Sequence, residues 1–336
     1  MITIEHNNSI SLVTFTPDSQ TLVTSSFDGA TVLWDCNTGK EQKRHATSDH
    51  FHHARFSPDG KNILLWSVAY RTALLSDFET FDSQCYFRHF GRLGAVNSAA
   101  FSQDGKRVLT ASGDGSAVIW STKDESKLQT FKPETFGGLE VAVFSPDEKQ
   151  VFTINGNKEA CMWDALSGKP LYCITHTKQL WQASVSRDWQ HMLANCGDEA
   201  VMWSTHSGER VGAFKYQGLD KINQAVFSPD SKWVATCSSY DAEATIWERD
   251  SGEKRCVLPH DPQESLCPSA PTFCANSSLV LLLSKPNMLS LHDLSGGQTH
   301  AQFEHNGKID QFGFSSDERM VWARCNEHNK VSIWPL

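Results

Sequence analysis

Short apolar runs separated by turn-forming residues make up most of the chain, and the stretch 15–39 shows the arrangement in full. It reads FTPDSQTLVTSSFDGATVLWDCNTG. Turn signals at Pro17-Asp18 and Asp28-Gly29 bound segments that alternate in polarity or carry β-branched residues, as strands do. A third turn follows the tryptophan. The pattern predicts strand, turn, strand, turn and strand.

The same arrangement returns along the whole sequence, and two sets of markers follow it. The first marker opens phrases such as FSPDGK and FSQDGK, recurs every 41 to 46 residues, and stands at Phe15, Phe56, Phe101, Phe144, Val185, Phe227, Phe273 and Phe314. The second marker closes each unit, recurs every 40 to 45 residues, and stands at Trp34, Ser76, Trp120, Trp163, Trp203, Trp247, His292 and Trp334. The two sets agree on eight units, of which the seventh is the most eroded.

A period in the low forties with about four short strands per period is typical of radial repeat arrays. With its recurring Trp-Asp dipeptides, such as 34–35 and 163–164, the chain resembles the WD-repeat β-propeller family over essentially all 336 residues. The resemblance implies an all-β fold: a single propeller with eight blades of four antiparallel strands. Seven blades are the alternative, and they would require the second or the seventh unit to be an insertion.

The two ends of the chain are expected to meet in the last blade. In this family the sequence unit is out of phase with the blade, so the outer strand of one blade comes from the start of the next unit. The last unit stops at Trp334, two residues from the end, so its blade lacks an outer strand unless residues 1–6 supply it. We expect the N-terminal strand to pair there and close the ring, which hides two sheet edges.

Length and composition favour one domain in the cytoplasm. A chain of 336 residues would ordinarily suggest about two domains, but a propeller core grows around a ring, so we predict one domain over 1–336. No apolar run approaches the roughly 20 residues of a membrane helix, and the N-terminus lacks the pattern of a secretory signal. We expect no membrane contact. The net charge of −9 argues against nucleic acid as a partner.

The ten cysteines show no C-x-x-C pair and no short-loop disulfide framework. Several, such as Cys161 and Cys237, fall inside strand patterns, where a thiol behaves as a small hydrophobic group. We predict that the cysteines are reduced and buried, which fits a reducing compartment.

The resemblance also implies a structural tetrad of a His, a strand Ser or Thr, a turn Asp and the Trp indole N–H. The first unit offers His6, Ser26, Asp28 and Trp34. Equivalent places hold His176, Asp198 and Trp203, and also His305, Asn329 and Trp334. Ser, His and Asp are also the parts of a hydrolase triad, but a nucleophile has no reason to recur in every blade. We therefore expect buried structural groups and no catalytic residue.

No metal or cofactor is expected. His50, His52 and His53 form a cluster, but adjacent strand positions would send His52 and His53 to opposite faces, and no carboxylate or cysteine other than Asp49 stands at a suitable spacing. A solvated loop is the favoured interpretation. The SGDGSA segment at 112–117 lacks the lysine and the helix that a phosphate-binding loop needs.

WD-repeat proteins are docking platforms, so the resemblance implies a non-catalytic scaffold or adaptor, a monomeric ring within a larger complex. It would bind a partner protein or peptide on the top rim of the propeller. Matched onto this chain, the rim positions are Phe27, His53, Tyr70, Arg71, Arg92, Phe136, Lys178, Trp181, Tyr240 and Lys308.

An aromatic and basic cluster resembles an interface hot spot, and on an acidic chain it favours an acidic or phosphorylated peptide. Two alternatives stay open at this point. The rim positions can be scattered surface residues, with Trp181 packed between blades. The protein as a whole can be a channel-site enzyme or a small-ligand-binding propeller.

Overall fold

The computed structural model describes residues 1–46, 51–69, 71–90, 94–134, 137–155, 159–176, 178, 180–215, 222–238, 243–259 and 270–336. Within these ranges 32 strands form eight four-stranded antiparallel sheets, and no described residue is helical. The sheets confirm the predicted eight-bladed β-propeller rather than the seven-bladed alternative. Accordingly, the described residues include no helix that could cross a membrane. The prediction of one domain over 1–336 stays a prediction.

The blades fall into two compact units, and the first comprises residues 10–179 with blades 1 to 4. Blade 1 consists of β2 (Ile10–Phe15), β3 (Thr21–Ser26), β4 (Ala30–Asp35) and β5 (Glu41–Ala46). Blade 2 consists of β6 (His53–Phe56), β7 (Asn62–Trp66), β8 (Thr72–Asp77) and β9 (Ser83–Arg88). Blade 3 consists of β10 (Val96–Phe101), β11 (Arg107–Ser112), β12 (Ala117–Ser121) and β13 (Lys127–Phe131). Blade 4 consists of β14 (Leu139–Phe144), β15 (Gln150–Asn155), β16 (Glu159–Asp164) and β17 (Pro170–Thr175).

The second unit comprises residues 1–9 and 180–336 with blades 5 to 8. Blade 5 consists of β18 (Trp181–Val185), β19 (His191–Asn195), β20 (Glu199–Ser204) and β21 (Arg210–Lys215). Blade 6 consists of β22 (Ile222–Phe227), β23 (Trp233–Ser238), β24 (Glu243–Glu248) and β25 (Lys254–Pro259). Blade 7 consists of β26 (Thr272–Phe273), β27 (Leu279–Lys285), β28 (Met288–Asp293) and β29 (Thr299–Glu304). Blade 8 consists of β30 (Gln311–Phe314), β31 (Met320–Cys325), β32 (Lys330–Pro335) and the N-terminal strand β1 (Ile2–Glu5).

Neighbouring blades within each unit share clusters of buried apolar side chains. Val23 of β3 and Ile63 of β7 belong to the cluster between blades 1 and 2. Leu281 of β27 and Val321 of β31 belong to the cluster between blades 7 and 8. All four side chains are fully buried, and burying one such side chain stabilises a fold by about 1.5–3 kcal/mol. Packing between blades therefore stabilises each unit.

The recurring FSPDGK phrase forms the turn between the first two strands of a blade. In blade 2 the Ser57 hydroxyl donates to the Asp59 carboxylate at 2.6 Å, and that carboxylate accepts the Lys61 N–H at 3.1 Å. These bonds lower the pKa of Asp59. Equivalent hydroxyl-to-carboxylate bonds occur at Thr16–Asp18, Ser102–Asp104, Ser145–Asp147, Ser186–Asp188, Ser228–Asp230 and Ser315–Asp317. The phrase recurs because these hydrogen bonds stabilise the same turn in each of these blades.

The eroded seventh unit keeps the same turn with different chemistry. There the Cys274 thiol donates to the Asn276 side-chain oxygen at 2.8 Å, and the same oxygen accepts the Ser278 N–H at 2.9 Å. Cys and Asn thus replace Ser and Asp without loss of the turn. The seventh unit is a blade, as predicted, although its inner strand β26 has only two residues.

The N-terminal strand completes blade 8, as expected. Strand β1 pairs antiparallel with β32, with Ile4 opposite Val331. The Ile4 side chain is buried, and the Lys330 ammonium lies 2.5 Å from the Glu5 carboxylate. The His6 N–H extends the pairing by donating to the Asn329 carbonyl at 3.0 Å.

One prediction about the cysteines was wrong. Cys161 of β16 and Cys173 of β17 form a disulfide between neighbouring strands. The two residues are direct partners in the strand register, a pairing that cysteine spacing alone cannot reveal. Seven described cysteines are free thiols: Cys36, Cys85, Cys196, Cys237, Cys256, Cys274 and Cys325. Cys267 lies outside the described residues.

A hydrogen bond from the closing tryptophan to a threonine recurs in four blades. The donor is the indole Nε1, and the acceptor is the hydroxyl two residues after the strand partner of the tryptophan. The four pairs are Trp34 with Thr24 at 2.7 Å, Trp120 with Thr110 at 2.8 Å, Trp163 with Thr153 at 2.8 Å, and Trp247 with Thr236 at 2.7 Å. Each bond joins the second and third strands of its own blade.

A complete row of four groups occurs at blade 3, where the sequence did not predict it. The Trp120 indole donates to the Thr110 hydroxyl, which lies 2.8 Å from His89 Nε2, and His89 Nδ1 lies 3.2 Å from the Asp114 carboxylate. With a proton on Nδ1 for Asp114, Nε2 is free to accept the Thr110 O–H. Burial raises the pKa of Asp114, but hydrogen bonds from His89 and Ser116 outweigh it and hold that pKa well below its usual range.

The predicted tetrad of the first unit needs one correction, because the residue that accepts the Trp34 indole bond is Thr24 rather than Ser26. The Ser26 hydroxyl instead accepts the N–H of Asp28 at 3.2 Å. The sequence assignment missed the acceptor by two residues, which keeps the same face of the strand. His6 is buried.

The other two predicted sets do not form such a row. His305 packs edge-on against Trp334 with ring centroids 6.2 Å apart, but both ring nitrogens of His305 are buried without a hydrogen-bond partner among the described residues. The threonine position of blade 8 holds Ala323, so the hydroxyl is missing. Asn329 takes a turn conformation with a φ of 55°.

Blade 5 also lacks the threonine hydroxyl that would accept the tryptophan indole bond, because an alanine stands at that position. Its threonine position holds Ala194, two residues after Met192, the strand partner of Trp203. Asp198 is exposed, and His176 Nδ1 accepts the N–H of Lys178 at 3.1 Å.

Replacing Ile4 should show how much β1 contributes. We expect Ile4→Ala to lower the free energy of unfolding by about 2–5 kcal/mol, because it removes a fully buried side chain from a packed site. Thr3→Ala changes an exposed neighbour in the same strand and should have little effect. Urea denaturation of both variants measures the difference, and equal stabilities would contradict the role assigned to β1.

Replacing Thr110 should break the row at blade 3. Thr110→Val keeps the shape but leaves the Trp120 N–H and His89 Nε2 without a partner, at a cost of about 1–3 kcal/mol for each group. Thr110→Ser retains the hydroxyl and serves as the control. Thermal and urea denaturation should rank wild type and Thr110→Ser above Thr110→Val, and a valine variant as stable as the serine variant would refute the assignment.

The lowered pKa of Asp114 predicts a specific pH dependence. A carboxylate whose pKa falls on folding adds stability above its unfolded pKa of about 4, and this contribution is lost as pH drops through the folded pKa. The stability difference between wild type and Asp114→Asn should therefore be largest near neutral pH and shrink below about pH 4. Urea denaturation across this range measures it, and a difference independent of pH would be inconsistent with the ionised row.

Candidate functional site

Several predicted rim positions lie outside the described residues: Tyr70, Arg92, Phe136 and Tyr240. The backbone of Trp181 begins β18, and its side chain is likewise outside the description. Two of the remaining positions are exposed lysines, Lys178 in the first unit and Lys308 in the second.

The other three described positions belong to blades 1 and 2 of the first unit. Phe27 lies in the turn between β3 and β4, with 42% of its surface exposed. His53 is the first residue of β6. Arg71 is exposed in the loop between β7 and β8, directly before Thr72.

Two ring contacts surround His52 and His53, one between blades 1 and 2 and one within blade 2. The Phe27 ring meets the His52 ring edge-on, with centroids 5.8 Å apart. The His53 ring stacks on the Trp66 ring, with centroids 5.3 Å apart and planes inclined by 19°. His52 Nδ1 lies 2.6 Å from the hydroxyl of the buried Ser67. The two histidines therefore have different partners, as the strand alternation predicts.

Arg55 adds a permanent positive charge to this group. It lies two residues after His53 in β6 and therefore on the same face of the strand. Burial, together with the charges of His52 and Arg55, lowers the pKa of His53. His53 is therefore neutral at pH 7, while the positive charge nearby is that of Arg55.

We name Phe27, His52, His53, Arg55, Trp66 and Arg71 the aromatic-basic patch. The rim prediction contained only three of its members. Arg55 could have been found from the strand alternation, because it shares a face with His53. Trp66 required the strand register, which places it opposite His53.

Among the described residues, two groups bring potential metal-ligand atoms within 4.8 Å of one another. In one group Cys161 and Cys173 form the disulfide, so their sulfurs are not available as thiolates. The other group is Cys325, Glu327 and His328 in and beside the turn between β31 and β32. Burial raises the pKa of the Cys325 thiol, which disfavours the thiolate that a metal requires. His50 of the predicted histidine cluster lies outside the described residues.

Comparison with known proteins agrees with the repeats and the blades. The family model described as "WD domain, G-beta repeat" matches residues 1–35, 83–121 and 209–248. A guanine nucleotide-binding protein subunit beta from Zea mays is 26% identical over 350 residues, which cover 98% of this chain and 81% of that protein.

Two further relatives match only part of the chain. A guanine nucleotide-binding protein subunit beta-1 from Nicotiana tabacum is 30% identical over 135 residues, 38% of this chain and 35% of that protein. Transducin beta-like protein 3 from Rattus norvegicus is 26% identical over 132 residues, 37% of this chain and 16% of that protein. The matches thus span about a third or less of either relative.

A solved structure shares the fold across nearly the whole chain. The computationally designed Ika8 protein superimposes with a TM-score of 0.79 and 15% sequence identity, and the match covers 99% of each chain. The recurring units, the eight four-stranded blades and these matches together show an eight-bladed β-propeller in which residues 1–35, 83–121 and 209–248 are similar to WD repeats.

Proposed function

We propose that this protein is a non-catalytic docking platform that binds an acidic or phosphorylated peptide segment of a partner protein at the aromatic-basic patch. The observation that carries the proposal is the contact between blades 1 and 2, where the partly exposed Phe27 packs edge-on against His52. Blade 2 adds the positive charge of Arg55 near His53 and the exposed Arg71 in the loop between β7 and β8. Aromatic rings and arginines dominate the binding energy of protein interfaces.

Charge distribution supports an acidic partner. The whole chain carries a net charge of −9, which repels acidic molecules from most of the surface. A local group of cations within such a field selects partners that present negative charge at one point. The same net charge disfavours nucleic acid, whose phosphate backbone requires a broad basic surface. The proposed partners therefore include neither nucleic acid nor membrane.

The buried row at blade 3 supports a structural rather than a catalytic use of His, Asp and hydroxyl groups. The Thr110 hydroxyl accepts the Trp120 indole bond in the core and is fully buried. A substrate has no access to a hydroxyl in that position, and a nucleophile must reach its substrate. The Zea mays relative is by name a subunit of a larger protein, which fits a role inside a complex.

The proposed location is the cytoplasm. Seven described cysteines are free thiols, which suits a reducing compartment. The disulfide between Cys161 and Cys173, which joins direct neighbours on adjacent strands, is the one described feature that opposes this location.

Panning a random peptide library on the immobilised protein tests the proposal. We expect enrichment of Asp- and Glu-containing peptides that bind wild type, and binding about tenfold weaker or worse to the double variant Phe27→Ala/Arg71→Ala, because it removes an aromatic anchor and a charge. The affinity of the enriched peptides for wild type and variant is measured by fluorescence polarisation.

The chain offers a matched control pair. Tyr86 and Arg88 are also an exposed aromatic residue and an arginine, with the guanidinium 5.2 Å from the ring centroid, on the outer strand of blade 2. Tyr86→Ala/Arg88→Ala should bind like wild type. Peptides without an acidic bias, or equal loss in both double variants, would argue against docking at this patch.

A further inference from the structure

Arg55 differs from the other arginines that the structure describes around it. Its side chain has access to solvent, yet surrounding protein lowers the pKa of its guanidinium through burial. A side chain that reaches solvent and is also surrounded by protein lines a concave surface. We call the surface of β6 around His53 and Arg55 the recess. Elsewhere in the first unit, Arg44 pairs with Glu41 and Arg107 with Glu148. Among the described residues no hydrogen bond or ion pair engages the Arg55 guanidinium.

The strands that pack against β6 supply no negative charge. These are β2 with the sequence ISLVTF, β7 with NILLW and β10 with VNSAAF. None of the three contains a titratable side chain. The groups whose charges act on His53 are His52 and Arg55, both on its own segment. The described strands that pack against β6 therefore place no negative side chain beside Arg55 and His53.

Holding the Arg55 guanidinium in this recess without a partner lowers the stability of the folded protein. A partly desolvated charge without a partner is unfavourable, and a neutral side chain of similar size would avoid the cost. Local arrangements that oppose stability are expected mainly at functional positions. A guanidinium presents its N–H groups as a fork that matches the two oxygens of a carboxylate or phosphoryl group.

His53 is placed to assist Arg55. It shares the face of β6 with Arg55, and stacking on the buried Trp66 fixes the orientation of its ring. An imidazole held in this way can donate one N–H to an oxygen on the anion that Arg55 binds.

We propose that Arg55 and His53 form an oxyanion-binding recess on β6, which holds one carboxylate or phosphoryl group of the peptide that docks at the aromatic-basic patch. The inference rests on the docking role proposed above and adds the anchoring group and its residues. The two candidate groups share the same chemistry, a pair of anionic oxygens.

The recess makes binding dependent on pH. When it is empty, burial and the neighbouring cations lower the pKa of His53, so the ring is neutral near pH 7. A bound anion stabilises the protonated ring and raises that pKa. Binding therefore takes up a proton, and the affinity rises as pH falls through the pKa of the occupied site.

Nuclear magnetic resonance of histidine-labelled protein tests the recess directly. The pKa of His53 is measured in sodium chloride, in inorganic phosphate and in acetate at equal ionic strength, and the His53 signal is assigned by its loss in His53→Gln. We expect the pKa to rise in at least one of the two anions. A larger rise in phosphate identifies a phosphoryl site, and a larger rise in acetate identifies a carboxylate site.

Variants at Arg55 decide whether that residue is the anchor. In Arg55→Gln the anions should no longer raise the pKa of His53, while Arg55→Lys, which keeps the charge but loses the fork, should give an intermediate rise. Arg88→Gln removes an exposed arginine of blade 2 and should behave like wild type. A pKa of His53 that neither anion moves, or that moves equally in Arg55→Gln, would overturn the proposal.

The melting temperature provides a second test, which distinguishes an anion-binding arginine from one that stabilises the fold. Removing a costly unpaired charge should leave the melting temperature of Arg55→Gln unchanged or higher. A clear fall in melting temperature would show that Arg55 supports the fold instead, and would also overturn the proposal. If the recess fails these tests while Phe27→Ala/Arg71→Ala still loses peptide binding, the docking role stands and only the anchoring site is refuted.

Discussion

No blade of this protein can cover both faces of its own sheet, so each depends on apolar side chains from a neighbouring blade. Val23 and Ile63 meet in this way in the first unit, and Leu281 and Val321 in the second. Because every blade must present the same kind of surface to the next, the sequence must repeat at the length of one blade. The marker phrases are the visible result of this packing requirement.

Polar groups inside the blades tolerate more variation than the apolar packing does. The indole-to-threonine bond occurs in four described blades, while Ala194 and Ala323 occupy the threonine position in blades 5 and 8. His305 shows the cost, because both of its ring nitrogens are buried without a hydrogen-bond partner in the described part of the chain. Blade 7 shows a compensated change, since Cys274 and Asn276 rebuild the usual turn. A blade therefore survives the loss of one polar bond as long as its apolar contacts persist.

The aromatic-basic patch follows a different principle from the core. One ring contact, Phe27 with His52, joins blades 1 and 2, the other, His53 with Trp66, lies within blade 2, and burial lowers the pKa of the neighbouring Arg55. The stability that apolar burial provides elsewhere allows an inner strand to carry a charged side chain that no ion pair among the described residues engages. The rigid strand also fixes the position of that charge, which is what selective recognition requires.

The sequence by itself determined the all-β class, the eight blades and the pairing of the N-terminal strand in the last blade. The class and the blade number depend on local alternation, on turn residues and on a repeat of nearly constant length, while the N-terminal pairing follows from the resemblance to the WD-repeat family. The acceptor for Trp34 was predicted at Ser26 but is Thr24, because strand register depends on how two strands align. The patch at His53 and the Cys161–Cys173 disulfide required the tertiary structure. Contacts between strands and between blades join residues that are far apart in sequence. Sequence separation does not determine distance in space, so only the tertiary structure decides these contacts.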